Sequence, residues 1–267
     1  MNQKNLVFLK LGGSLITDKT QPLTARIEVI KRLAEEIARA MDETPNLSMV
    51  IGHGSGSFGH AIASQHQTQS GGSDQAYWEG FAEVWRAARS LNEIVIQHLS
   101  EARLPVIAFP PSASALAENG TIVQWDVARI EQAISHHLVP VVQGDVVIDT
   151  KLGGTIVSTE KVFQHLAGPL KPAKILLAGL DTGVFSNPDQ PDEIIPQITP
   201  SSFAAVLPAL SGARALDVTG GMLSKVELMV SLVQAEPGLK IMIFSGAQPG
   251  NLYQAILGQA LGTSITA

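Results

Sequence analysis

The chain has 267 residues, 45% of them hydrophobic and 16% charged, which excludes a disordered or fibrous polymer and allows one large α/β domain or two intimate lobes. A formal net charge of -6, without clustered Lys and Arg, argues against a nucleic-acid partner, because phosphate backbones are held by dense positive charge. The absence of cysteine rules out disulfides, thiolate metal sites and a cysteine nucleophile, and fits a reducing compartment, so the expected setting is cytoplasmic.

Leu6–Leu11 is short, apolar and bounded by glycines, and predicts a buried strand running into Gly12-Gly13-Ser14. Its apolar run is broken by Lys10 and is too short for the hydrophobic region of a signal peptide. No run of about 18 apolar residues exists to span a bilayer, so no membrane partner is expected. Residues 24–41 carry Ile27, Ile30, Ala34, Ile37 and Met41 at helical spacing. Residues 50–52 predict a second strand, followed by a glycine run (Gly52, Gly54, Gly56, Gly59) and then His60. Such a run lets the backbone bend so that several N–H groups converge on one anion, at the strand end where open α/β sheets place ligands.

A Gln- and Ser-rich loop is expected after His60. Residues 75–102 predict one or two long helices, 105–109 a strand, 125–137 an amphipathic helix and 139–142 the next strand. Residues 145–149 and 154–157 alternate around Gly153-Gly154 and predict a hairpin covering the sheet. Two prolines and a glycine within 167–173 mark the expected lobe boundary. Beyond it come a strand at 174–178, helices at 201–209 and 222–235, a strand at 241–244 and a closing helix at 252–261.

Gly54-Ser-Gly-Ser-Phe-Gly59 fits the dinucleotide pattern G-x-G-x-x-G, but it lies outside the first βαβ unit and lacks the acidic residue after the next strand. A phosphate cradle is the better reading. No Gly-Lys dipeptide exists for a Walker loop, and no Gly-x-Ser-x-Gly elbow for a hydrolase. Lys10, inside an apolar strand, is costly to bury unless an anion meets it. An ATP phosphate would serve, and the bland alternative is an end-of-strand lysine reaching water. Lys19 by itself reads as a solvated loop charge, and His60 as a capping or core histidine.

Tyr77, Trp78, Phe81 and Trp85 recur at helical spacing and fit either plain core or the apolar wall of a pocket. His53, His66, His98, His136, His137 and His165 show no metal-ligand spacing beside paired carboxylates. Asp145 and Asp149 read as hairpin residues rather than metal ligands.

Four stretches, in order, resemble the amino acid kinase family over almost the whole chain. They are Leu9-Lys-Leu-Gly-Gly-Ser14, the glycine run closed by His60, Gly144-Asp-Val-Val147 and Asp217-Val-Thr-Gly-Gly-Met-Leu-Ser-Lys225. Within the family the similarity is to the branch that acts on isopentenyl phosphate; the histidine closing the glycine loop is shared mainly with the fosfomycin kinases. The resemblance implies a three-layer α/β/α sandwich with a central, mainly parallel sheet, an acceptor lobe at 1–168 and a nucleotide lobe at 169–267. It implies transfer of the ATP γ-phosphate to isopentenyl phosphate, giving isopentenyl diphosphate and ADP, with Mg²⁺ bound mainly through the phosphates and a homodimer paired through the acceptor lobe. The rivals are a kinase of fosfomycin or another small phosphate, and a non-catalytic nucleotide-binding module.

The same resemblance implies residue roles. Lys10 would touch the transferred phosphate, and Gly12, Gly13 and Ser14 would wrap the ATP phosphates, with Gly56, Asp181, Gly221 and Lys225 completing the nucleotide site. Lys19 would stabilise the transition state. Ser55, Gly56, His60 and Gly154 would meet the acceptor, His60 as a hydrogen-bond donor. Ser55 stands where the family commonly has glycine, and Glu160 where it usually has an aspartate that aligns the lysines. A phosphate monoester has a second pKa of about 6, so its attacking oxygen is already anionic and needs no general base; the task is to hold two anions in line.

Overall fold

Continuous burial on both faces marks a central parallel strand, and β1 (Leu6–Leu11) lies inside the main sheet with a parallel neighbour on each side. The computed structural model describes residues 5–66, 68, 71–187, 193–211 and 221–267, leaving the side chains of residues 60, 61 and 211 outside that description. The main sheet runs in the order β10 (Gln197–Ile198), β12 (Thr263–Ile265), β11 (Lys240–Ser245), β9 (Lys174–Gly179), β1, β2 (Ser48–His53), β6 (Val139–Gln143) and β3 (Val106–Ala108). Of these pairs, β11 with β12 is antiparallel and the others are parallel.

Successive side chains of β1 go to opposite layers, as strand geometry requires. Val7 and Leu9 join a core built from α1 (Gly13–Ile16), α2 (Ile27–Glu43), α4 (Gln75–Glu101) and α9 (Asn251–Ile256). Phe8 joins the opposite core, built from α5 (Ala128–Ser135), α6 (Thr159–Leu170), α7 (Phe203–Ser211) and α8 (Gly221–Ala235). The architecture is therefore the expected three-layer sandwich. In α2 the buried Ile30, Leu33, Ala34, Ile37 and Ala40 form one stripe. The expected 75–102 segment is a single helix, capped where the Asp74 side chain accepts from Tyr77 N–H at 2.8 Å.

Several boundaries differ from expectation. The glycine run is not all loop: α3 (Gly56–His66) starts inside it, because the Ser55 carbonyl accepts from the Phe58 and Gly59 N–H groups. The Gln- and Ser-rich loop expected after His60 is helical to His66, and residues 67, 69 and 70 lie outside the described residues. The hairpin strands are β7 (Asp145–Asp149) and β8 (Gly153–Val157), with Gly153 and Gly154 in the strand rather than the turn. The reversal occurs earlier because Asp149 Oδ1 accepts from Lys151 and Leu152 N–H, closing the turn before the glycines.

That hairpin belongs to a second sheet, in the order β5 (Thr121–Gln124), β4 (Leu116–Glu118), β7, β8. Strands β4 and β5 were not foreseen, although the Asn119-Gly120 pair joining them, with φ of 50° and 74°, is a hairpin turn signal. Periodic structure is not interrupted at 167: α6 continues to Leu170 with Pro169 in its last turn, where the proline removes one helical hydrogen bond just before the helix ends. The closing helix stops at Ile256, and β12 follows.

Candidate active site

The carboxyl ends of β1, β2 and β9 open onto one cleft of about 210 Å³. Four helices start on its wall: α1 at Gly13, α3 at Gly56, α6 at Thr159 and α8 at Gly221. The positive dipole ends of these helices favour negative charge in the space, which suits a polyanion. Lys10, Gly12, Gly13, Ser14, Lys19, Ser55, Gly56, Glu160, Asp181, Gly221 and Lys225 all line this cleft.

Two backbone loops form its floor. Gly12 N–H donates to the Ala178 carbonyl at 2.8 Å, and the Gly12 carbonyl accepts from Leu15 and Ile16, so β1 turns at once into α1. A Cβ on Gly13 would lie 2.5 Å from Gly56 N, so the first glycine loop and the second touch backbone to backbone. Lys19 follows on a turn shaped by Asp18, whose Oδ1 accepts from the N–H and hydroxyl of Thr20; these bonds hold its carboxyl below the usual range.

Lys10 Nζ donates to Glu160 Oε1 at 2.5 Å, and both side chains are largely buried. Burial opposes charge on Glu160, but the Lys10 and Lys225 ammonium groups outweigh it and hold the carboxyl at about 2. His53, behind the glycine loop, is driven the other way: burial lowers its pKa, while Asn92 Oδ1 lies 2.9 Å from Nε2 and the Thr159 hydroxyl donates to its carbonyl. Burial thus favours its neutral form.

Other expected positions are placed differently. Gly154 does not line the cleft; a Cβ there would meet the Phe81 ring at 2.7 Å and the Tyr77 hydroxyl at 2.8 Å, so the position serves close packing of β8 on α4. Tyr77, Trp78 and Phe81 form a ring cluster with centroids 5.2 to 6.2 Å apart and are likewise not on the wall. The apolar lining beside the glycine loop is Ala63, Val84 and Ile156, with Phe81 and Trp85 packed behind. His60 falls within α3, between the cleft-lining Gly59 and Ala63, and its side chain lies outside the described residues, as do Asp217, Thr219 and Gly220.

Sequence reasoning passed over Ser158, whose side chain accepts from Lys161 N–H at 3.3 Å and starts α6 with Glu160 in its first turn. A serine between a strand and a helix is the signal that was there to find. Among the described residues no three His, Asp or Glu side chains converge as a metal cage; Glu160 and Asp181 are the carboxylates on the described wall.

Residues 5–245 match the amino acid kinase family. Isopentenyl phosphate kinase of Methanocaldococcus jannaschii is 33% identical over 266 residues, covering 97% of this chain and 98% of that protein. Isopentenyl phosphate kinase of Methanothermobacter thermautotrophicus is 34% identical over 272 residues, covering 98% and 99%. An X-ray structure of isopentenyl phosphate kinase superposes with a TM-score of 0.83 at 30% identity, covering 98% of this chain and 100% of that one.

Proposed function

The chain belongs to the amino acid kinase family, and from that membership we propose that it transfers the γ-phosphate of ATP to isopentenyl phosphate, yielding isopentenyl diphosphate and ADP. The observation that carries this is the meeting of Lys10 and Lys225, from opposite ends of the chain, around Glu160 in a cleft ringed by helix N-termini. Relatives named for the same activity, at a third identity over nearly their full length, support the choice of acceptor over fosfomycin or a non-catalytic role.

In the proposed reaction a phosphate oxygen of the acceptor forms a bond to the γ-phosphorus as the bond to the β–γ bridging oxygen breaks, and ADP leaves with that electron pair. No proton need move. Repulsion between two anions is the obstacle, and fixed positive groups lower it without reorganising. Gly12, Gly13, Ser14, Gly56, Asp181, Gly221 and Lys225 are proposed for ATP; Ser55, Gly56 and His60 for the acceptor phosphate; and Lys10 and Lys19 for the group in flight. Glu160 is proposed to orient Lys10. Ala63, Val84 and Ile156 offer the prenyl tail a dry wall.

Mg²⁺ bound mainly through the phosphates would supply further charge neutralisation, a mode consistent with the two carboxylates, Glu160 and Asp181, on the described wall. The division into an acceptor lobe at 1–168 and a nucleotide lobe at 169–267 belongs to the same proposal, supported by the cleft lying between α3 and β8 on one side and β9 and α8 on the other. So does a homodimer, for which the exposed Val123 and Ile148 on the small sheet offer apolar surface. No helix of the described residues is long and apolar enough to cross a membrane, and the cysteine-free composition supports a cytoplasmic setting.

ADP release measured with ATP and, in turn, isopentenyl phosphate, dimethylallyl phosphate, fosfomycin and UMP tests the assignment. The highest kcat/KM is expected with isopentenyl phosphate. A large preference for UMP or fosfomycin would overturn the acceptor, and no ADP release with any of them would overturn the kinase.

A further inference from the structure

Thr17 is completely buried and does not line the cleft, yet its hydroxyl lies between the two glycine loops that do. Its Oγ1 donates to the Gly13 carbonyl at 2.7 Å and accepts from Ser57 N–H, in the first turn of α3, at 3.0 Å. Thr17 N–H bonds the same Gly13 carbonyl at 2.9 Å. Both capacities of the hydroxyl are therefore in use, one on each loop.

The fit leaves no slack. Gly56 has φ +48°, and a Cβ there would stand 2.1 Å from Thr17 Oγ1 and 2.6 Å from the Gly13 carbonyl. Glycine at 56 is thus what lets the hydroxyl reach across. Thr17 also forms an isolated antiparallel bridge with Ala25, so the turn carrying Lys19 springs from the same anchored residue.

We propose that Thr17 is a positioning residue whose hydroxyl sets the spacing between the loop that takes the ATP phosphates and the loop that takes the acceptor phosphate. This rests on the assignment of those loops above. A fixed spacing between the loops fixes the distance the phosphoryl group must cross, and a displacement of about 1 Å at such a distance can cost about 10²-fold in rate. ADP lacks the γ-phosphate that is proposed to reach Gly56, and isopentenyl phosphate contacts the acceptor loop alone, so binding of either by itself is insensitive to the spacing. Turnover is not.

The test compares wild type, Thr17→Val, Thr17→Ser and Thr17→Ala in steady-state kinetics with ATP and isopentenyl phosphate, with calorimetric titration of ADP and of isopentenyl phosphate separately. Thr17→Val is expected to lower kcat about 30- to 100-fold, with both dissociation constants within about threefold and one ligand still bound per chain, while Thr17→Ser stays near wild type. Unchanged kcat in Thr17→Val, or equal loss in Thr17→Ser, overturns the proposal, as does a parallel loss of kcat and of both affinities. Should Thr17→Val not fold, Thr17→Ala, which removes the hydroxyl with less bulk, is expected to lower kcat in the same way with both dissociation constants kept; full kcat there overturns the proposal. A wild-type chain that binds neither ADP nor isopentenyl phosphate would sink the loop assignment instead.

Discussion

Lys10 and Glu160, 150 positions apart in the chain, are joined by a 2.5 Å hydrogen bond at the floor of the cleft. Lys10 enters on a central strand and Glu160 in the first turn of α6, so a buried cation and a buried anion satisfy each other before any phosphate arrives. In the proposed reaction the γ-phosphate would compete with Glu160 for the same ammonium group. The carboxylate would then be a second anchor that keeps the lysine aimed.

Replacing Glu160 with Gln removes the competitor and the anchor together. The expected result is a fall in kcat of about 10²-fold without a rise in KM for ATP, because ground-state attraction of Lys10 for phosphate is not weakened. Steady-state kinetics checks this; a raised KM at unchanged kcat would assign Glu160 to binding instead.

Asp145 and Glu160 pull stability in opposite directions with pH. Burial pushes the Asp145 carboxyl up to about 6, against the opposing bonds from Ser112, Val146 and Gln143, so the fold favours its protonated form. That contribution is fully present below the ordinary aspartate range and is lost as pH rises through about 6. Glu160, held at about 2, contributes above the ordinary glutamate range and loses that contribution as pH falls toward 2. Urea midpoints of wild type and Asp145→Asn between pH 4.5 and 7.5 should show wild type losing ground to the variant as pH rises; a constant difference would contradict the assignment.

Val84 is 3% exposed and lies on the apolar wall beside the glycine loop. Shortening it to Ala deepens the proposed tail site. The ratio of kcat/KM for geranyl phosphate to that for isopentenyl phosphate is expected to rise about tenfold, the usual scale for one or two methyl groups in such a wall. No change in the ratio would place the tail elsewhere.

Two histidines of α3 should separate cleanly. His60 follows the glycine loop and is proposed to donate to the acceptor, whereas His66 ends the helix and its Nε2 lies 2.9 Å from Glu83 Oε2 in a partly exposed pair. His60→Ala is expected to lower kcat about 10²-fold, as loss of one preorganised donor does. His66→Ala should change it by no more than about threefold. Equal effects would remove His60 from the acceptor site.

Local pattern alone determined much of this protein. The run at Leu6–Leu11, the helical stripe of α2 and the unbroken 75–101 segment are each dictated by the spacing of neighbours in sequence, and the glycine-rich stretches announce bends that backbone alone can make. The order of the motifs pointed to the kinase family before any contact was known. Short elements escaped because two or three residues, as in β10 and β12, carry no measurable period. Tertiary structure decided the rest: that Glu160 reaches Lys10, that Gly154 packs on Phe81 instead of meeting the cleft, that Val84 rather than the aromatic stripe walls it, and that Thr17 pins two loops together. Such pairings depend on where strands and helix ends meet in space, over separations of 40 to 150 residues, and side-chain periodicity along one segment holds no information about its partner.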